Sequence, residues 1–251
     1  MRNPVSACGI VGLKPTSGLV SQRGVFPLSL TLDHVGRLTR TVTDNALMLS
    51  AIAGHDPLDP GSAASPPGHH AAGLELGVRG MRIGFIRHFH ETDLPADPEI
   101  AAGLENVAAT LRPWLRERPG DYGQLAQRRL LAGAFMSAGD YVQANRRRLE
   151  MIAAVEDALR EVDVLLCASS MDPPSGIKDA AEIERTYPRQ ARTPFNVSGH
   201  PALAMMAGLS SSGLPLSVQF VGGNFAEATL FRVARAWERA AGTDEKHPPV
   251  G

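Results

Sequence analysis

Apolar residues in this chain fall into short compact runs and longer periodic ones, and the two patterns predict strands and helices respectively. The run Gly9-Ile10-Val11-Gly12-Leu13-Lys14-Pro15-Thr16 is a short apolar strand ended by proline, with neighbours that pack close to its backbone. Residues 81–87, MRIGFIR, form a second strand. VDVLLCA, residues 162–168, is apolar on both faces and reads as a buried strand of parallel type. Residues 202–207 and 216–221 flank the loop Gly208-Leu-Ser-Ser-Ser-Gly213 and predict a hairpin.

Helical spacing runs through the remaining segments. TRTVTDNALMLSAIAG predicts a helix capped by Thr41 or Thr43, with Asp44 in its first turn and Gly54 as its stop. Asp97-Pro98-Glu99 opens another, with Ile100, Leu104, Val107, Ala108 and Leu111 on one face. A third spans residues 134–160, with Tyr141, Val142, Leu149, Ile152, Ala153 and Leu159 as its apolar stripe and Arg146, Arg147 and Arg148 on the solvated side. In the last, Asn224 and Glu227 stand at capping-box spacing, Leu230, Val233, Ala234, Trp237 and Ala241 share a face, and Gly242 ends it. Residues 57–77, with four prolines, read as a surface excursion, and about twenty polar residues after 168 form a loop. Strands and helices alternate irregularly, so the expected class is α/β with a mixed β-sheet covered by helices.

At 251 residues and 43% hydrophobic content, the chain can bury one large core. Its 25 basic and 26 acidic residues give a formal net charge of -1, which offers no electrostatic reason for nucleic acid or an anionic membrane as partner. Cys8 and Cys167 lie far apart in apolar runs, as reduced thiols rather than a disulfide framework. With no spanning-length apolar run and no secretory pattern at residue 1, a cytoplasmic location is the expectation.

The opening residues carry a more specific signal. RNPVSACGIVGLKPTSG resembles the segment that follows the nucleophile in the amidase signature family of serine amide hydrolases, through Arg2, Asn3, Pro4, Cys8, Gly9, Gly12, Leu13, Lys14, Pro15 and Thr16. Leu32-Asp33-His34-Val35-Gly36 is similar to a further family element, although Arg37 stands where the family has proline. Residues 162–168 resemble a family strand, with Cys167 and Ala168 replacing threonine and proline. Residues 193–242 resemble the family's C-terminal elements almost throughout, Met206 in place of proline being the clear departure.

That resemblance implies a Ser-Ser-Lys mechanism, in which a lysine acts as base through a bridging serine while a second serine attacks the amide carbon. All three groups, and the glycine loop that stabilises the oxyanion, precede the position matched by Met1, where the family has isoleucine. The expectation is therefore a truncated, catalytically incomplete amidase domain with no catalytic, cofactor-binding or metal-ligating residue to assign. Its parts are a post-nucleophile core segment (1–56), the excursion (57–79), a strand with helices (80–160) holding either an internal deletion near Arg112 or a naturally short connection after a helix that Pro113 ends, and the C-terminal core (162–242). The substrate implied by the family is a small carboxamide. The alternative is a non-catalytic binding or assembly module in a homo- or hetero-oligomer, as in the amidotransferase that amidates mischarged transfer RNA.

Other residues bear chemical groups without the pattern their chemistry needs. Lys14 reads as a turn lysine with an exposed amine; Pro15 separates it from Thr16, so no phosphate-binding Lys-Ser/Thr step exists. Ser198-Gly199-His200, with Asp33 or Asp172 to orient the ring, contains the parts of a hydrolase triad but no oxyanion loop, and reads as a structural turn. The Gly208–Gly213 loop has one residue too many for a nucleophile elbow. His69-His70, and His88 and His90 beside Glu91, present metal-ligand types without a second ligand cluster. Cys8 reads as an inert thiol in apolar surroundings.

Overall fold

The computed structural model describes residues 1–27, 29, 31–65, 68–111 and 138–243. The chain opens on a helix, not directly on the strand expected from residue 9: Arg2–Cys8 (α1) ends where Gly9 turns left-handed at φ 64° and returns its N–H to the Val5 carbonyl. Pro4 suits the first turn of this helix, where backbone N–H groups have no intrahelical partner. The strand β1 then spans Val11–Lys14, with every residue buried.

After β1 come β2 (Arg37–Thr39), α2 (Val42–Ile52), β3 (Ile83–Phe85) and α3 (Pro98–Leu111). Then follow α4 (Ala138–Glu161), β4 (Val164–Ala168), α5 (Ala180–Thr186), α6 (Thr193–Ser198), β5 (Ala202–Leu209), β6 (Pro215–Gly222) and α7 (Glu227–Ala241). The expected loop after 168 thus contains the short helix α5, capped by Asp179, whose carboxylate accepts from the Glu182 N–H. Residues 134–137 of the predicted third helix and the deletion expected near Arg112 fall at or next to residues outside those described.

The strands form one mixed sheet in the order β2-β1-β5-β6-β4-β3. β4 pairs parallel with β3 but antiparallel with β6, so it is buried on both faces without belonging to a parallel sheet. The expected hairpin is β5–β6, with a register shift between Met206 and Gly208.

Strand alternation divides the sheet into two unlike faces. Leu203, Met205, Leu216, Val218, Phe220, Val164 and Leu166 point into the main core, which α2, α3 and α7 cover. The opposite face carries Leu165, Cys167, Ala202 and Val221 together with polar Gln219 and Lys14, and is covered by α1, α4 and α6. Gly12 belongs to this second face: a Cβ there would meet Val5 Cγ2 at 2.3 Å and Leu38 Cδ2 at 2.9 Å, so only glycine lets α1 lie this close to β1.

Two predicted features form differently. The stripe proposed for α4 is not its buried face: Val142 and Leu149 are exposed and Val155 is buried. Of its arginine run, Arg148 is not simply solvated, donating to the Val197 and Thr31 carbonyls. The Asn224–Glu227 capping box is absent, because Ala226 is the cap of α7 and Glu227 is instead drawn into the core by Thr16.

The close approach at Gly12 yields a first expectation. Gly12→Ala should lower unfolding stability by about 1–3 kcal/mol through overpacking. Adding Val5→Ala should recover part of that loss in a denaturant-melt double-mutant cycle. Simple additivity of the two substitutions would contradict the packing.

Candidate active-site wall

The polar residues of the second sheet face converge on Arg2. Its guanidinium donates to Gln219 Oε1 at 2.7 Å, to the Arg192 carbonyl at 2.7 Å and to Asn196 Oδ1. The first residue of α1 is thereby joined to β6 and α6, nearly the whole length of the chain away in sequence. Gln219 is fixed in turn, its amide donating to the Ala168 and Ala191 carbonyls.

Arg192 lies beside Arg2 and donates to Gln190 Oε1, Ser6 Oγ, Ser170 Oγ and Asn3 Oδ1. Ser6 Oγ is 2.9 Å from Ser169 Oγ, which links α1 to the end of β4. Each partner of the two guanidiniums is a neutral oxygen, so burial dominates their titration. Desolvation, with the charge of Arg192 adding to it, brings Arg2 down to about 9, and desolvation brings Arg192 down to about 10. Both remain cationic at neutral pH.

Lys14 corrects the sequence reading. Its amine is buried, not exposed, because β1 points it into the second face, where it donates to the Pro15 carbonyl at 2.7 Å and the Gly199 carbonyl at 3.3 Å. Desolvation first, and Arg2 second, hold it well below the ordinary lysine range. It serves as a strap between β1 and the end of α6.

Ser198 and His200 flank Gly199, the left-handed cap of α6 at φ 81°. Both are buried, and Ser198 Oγ and His200 Nδ1 each lack a hydrogen-bond partner among the described residues, so they do not form a nucleophile–base pair. The carboxylates considered for the ring are engaged elsewhere: Asp33 accepts from the Ser29 N–H, and Asp172 pairs with Arg189 at 2.6 Å. The Ser210 and Ser212 hydroxyls sit in the hairpin loop, where Ser210 Oγ also accepts from the Leu214 N–H.

The histidines regroup around a π-helical turn, Phe89–Asp93. His88 turns to Asp93 at 3.1 Å, while His90 and Glu91 come near Glu105 of α3, their ligand atoms within 4.8 Å of one another. Arg87 grips Glu105 through two bonds of 2.8 and 2.9 Å and stands 3.7 Å from Glu91 Oε1, so both carboxylates face a guanidinium. Cys8 is exposed, contrary to the apolar setting expected for it, whereas burial pushes the Cys167 thiol up to about 12.

The network around Arg2 is only half visible in sequence. Arg2, Asn196 and Gln219 each stand in an amidase-like motif, but nothing comparable marks Arg192, and no motif says that these side chains meet. A further local signal is the glutamine inside the apolar run LSVQFV, a buried amide that must find partners.

A family model described as Amidase matches residues 1–113 and 115–231, and the chain belongs to that family, the amidase signature proteins. The putative amidase AmiD of Mycobacterium tuberculosis is 32% identical over 290 aligned positions, covering 100% of this chain and 60% of that protein. A glutamyl-tRNA(Gln) amidotransferase subunit from Geobacter sp. (strain M21) is 32% identical, covering 100% of this chain and 64% of its own length.

Among solved structures, one from a vestigial protein complex bearing on the origins of an s-triazine catabolic enzyme superimposes with a TM-score of 0.81 at 25% identity, covering 96% of this chain and 60% of that one. 6-Aminohexanoate cyclic dimer hydrolase shares the fold with a TM-score of 0.81 at 24% identity, covering 99% of this chain and 64% of that one. The chain thus spans about three fifths of the length of the relatives it matches. No helix among the described residues is long and apolar enough to cross a membrane.

Two outcomes follow from this geometry. Arg2→Met should cost about 3 kcal/mol or more in urea unfolding, because Gln219 and Asn196 lose a buried donor; a loss under about 1 kcal/mol would contradict the network. The second concerns His34, which desolvation and then the charge of Lys14 lower from 6.5 to about 4. Between those values the unfolded chain binds a proton that the fold does not, so this contribution is full above pH 6.5 and is lost as pH falls toward 4. The urea midpoint should drop across that window, and less steeply in His34→Gln; equal slopes would contradict the assignment.

Proposed function

We propose that this chain forms the supporting wall of a carboxamide hydrolase site and that the 251-residue polypeptide by itself has no hydrolytic turnover. The observation that carries this reading is the buried Arg2 network. In the family pattern Arg2 stands two places after the nucleophilic serine, and here it fixes the first turn of α1 to β6 and α6. Such a scaffold holds a preceding serine turn in place. Among the described residues of this wall, Lys14 donates to two carbonyls, and Ser6 and Ser169 bond to each other, so no serine there is bonded to a lysine.

In the complete reaction a serine oxygen adds to the amide carbon, the C–N bond breaks, and ammonia or an amine leaves with a proton. Water then releases the carboxylate. The lysine and both serines come from sequence preceding Arg2 in the family pattern, in the same polypeptide or in another. We also propose, from the resemblance alone, an internal deletion near Arg112.

A second reading, that the chain is completed by a partner, is favoured by exposed apolar side chains on an edge strand and on a covering helix. Leu38 on the edge strand β2, and Leu47, Met48 and Ile52 on α2, are exposed apolar side chains. The similarity to a component of an amidotransferase accords with such an assembly.

Treatment of the chain with a fluorophosphonate probe, followed by intact-mass analysis and an ammonia-release assay on simple carboxamides, tests the main reading. No adduct and no ammonia are expected. A serine adduct accompanied by enzymic ammonia release would overturn it. On the second reading, light scattering during size exclusion should show self-association at micromolar concentration, and a monomer would count against it.

A further inference from the structure

A second group of buried polar atoms lies on the opposite side of the sheet from Arg2. Arg37, at the start of β2, is 4% exposed; its Nε donates to the carbonyl and side-chain oxygens of Asn45, while both terminal nitrogens lack a partner among the described residues. Glu227, at the start of α7, is 0% exposed. Its Oε1 accepts from the Thr16 N–H at 2.7 Å and the Thr16 hydroxyl at 2.6 Å, and its Oε2 accepts from no described residue. His70, in the excursion, has its Nε2 buried and likewise unpartnered.

Two sets of contacts and a mutual charge influence bring these groups into one region of the core. The Arg37 guanidinium lies 5.8 Å from the ring centroid of Phe231, which is one helical turn beyond Glu227 on the same face of α7. Arg37 is also bonded to Asn45 of α2, and the same helix holds His70 through the Ser50 hydroxyl, which accepts the His70 backbone N–H at 2.9 Å. Finally, the charges of Glu227 and Arg37 act on the His70 ring in opposite senses, and Glu227 acts on Arg37.

Leaving a guanidinium end, a carboxylate oxygen and a ring nitrogen unpaired in the interior would destabilise the fold well beyond what a single lost hydrogen bond does, charged groups most of all. A direct Arg37–Glu227 bond is not made, because Thr16 fixes the orientation of the carboxylate. An anion would face Glu227 and a cation would face Arg37, whereas the two charges together cancel. A neutral molecule able to donate to Oε2 and accept from the guanidinium meets every demand, and water needs only about two to four such partners.

We infer that Arg37, Glu227 and His70 enclose an internal site for ordered water, which joins the excursion to the sheet and α7. The site lies in the main core, apart from the wall around Arg2.

A crystal structure of the 251-residue chain at about 1.8 Å or better tests this directly. At least one water within hydrogen-bond distance of both Arg37 and Glu227 is expected. A dry, direct ion pair, or density for an ion, would overturn the inference. In solution, ¹⁷O water relaxation dispersion of the same chain should count at least one fewer long-lived internal water in His70→Ala, which opens the wall. An unchanged count would also overturn it.

Discussion

A guanidinium can be buried without a carboxylate beside it only if its donors find oxygen elsewhere, and this constraint organises the second face of the sheet. Arg2 meets it with Gln219, Asn196 and the Arg192 carbonyl, groups that lie on β6 and α6 and at the end of the loop before them. The start of the chain is therefore positioned by its last third. Charge-assisted bonds of this kind are directional, so they fix where α1 points as well as how firmly it is held. Removing the arginine would strand a glutamine and an asparagine oxygen in the interior, so the cost falls on the whole face.

The two sides of the sheet divide the work. One is an apolar core under α2, α3 and α7, where Trp237 donates to the Met206 carbonyl and stability comes from buried area. The other inserts polar side chains between α1, α4 and α6, and its order depends on hydrogen bonds being completed. An amide hydrolase needs such a surface behind its nucleophile, because reacting groups must be held to a fraction of an ångström. The chain belongs to the amidase family and spans about three fifths of the length of its relatives.

Where sequence and structure agree, a short pattern suffices. Asp97-Pro98-Glu99 opens α3 as its residue types require, with the Asp97 carboxylate accepting from the Glu99 N–H. The hairpin β5–β6 and the cap Thr41 of α2 are likewise local. The differences arise where distant contacts decide. Helix α1 is seven residues long, with proline in its first turn and too few residues for a periodic signal. Lys14 reads as exposed because lysines usually are, but strand alternation turns it inward. Glu227 has the spacing of a capping box and is claimed instead by Thr16, from near the other end of the chain. In α4 the apolar pattern is weak, and tertiary packing selects Val155. Of the site, Arg2, Asn196 and Gln219 are legible through their motifs; their pairing is not, since no local rule links Arg2 to residues some two hundred positions away.

The central claim is that α1 is held by the Arg2 network as firmly as the sheet it lies on. Native-state amide hydrogen exchange on the 251-residue chain tests this most directly, through the helical amides of Ser6 and Gly9 compared with those of Val218 and Phe220 in β6. The account predicts that both sets exchange only through the same global opening, with equal free energies and equal denaturant dependence. Exchange of the α1 amides through local fraying, while β6 remains protected, would contradict it.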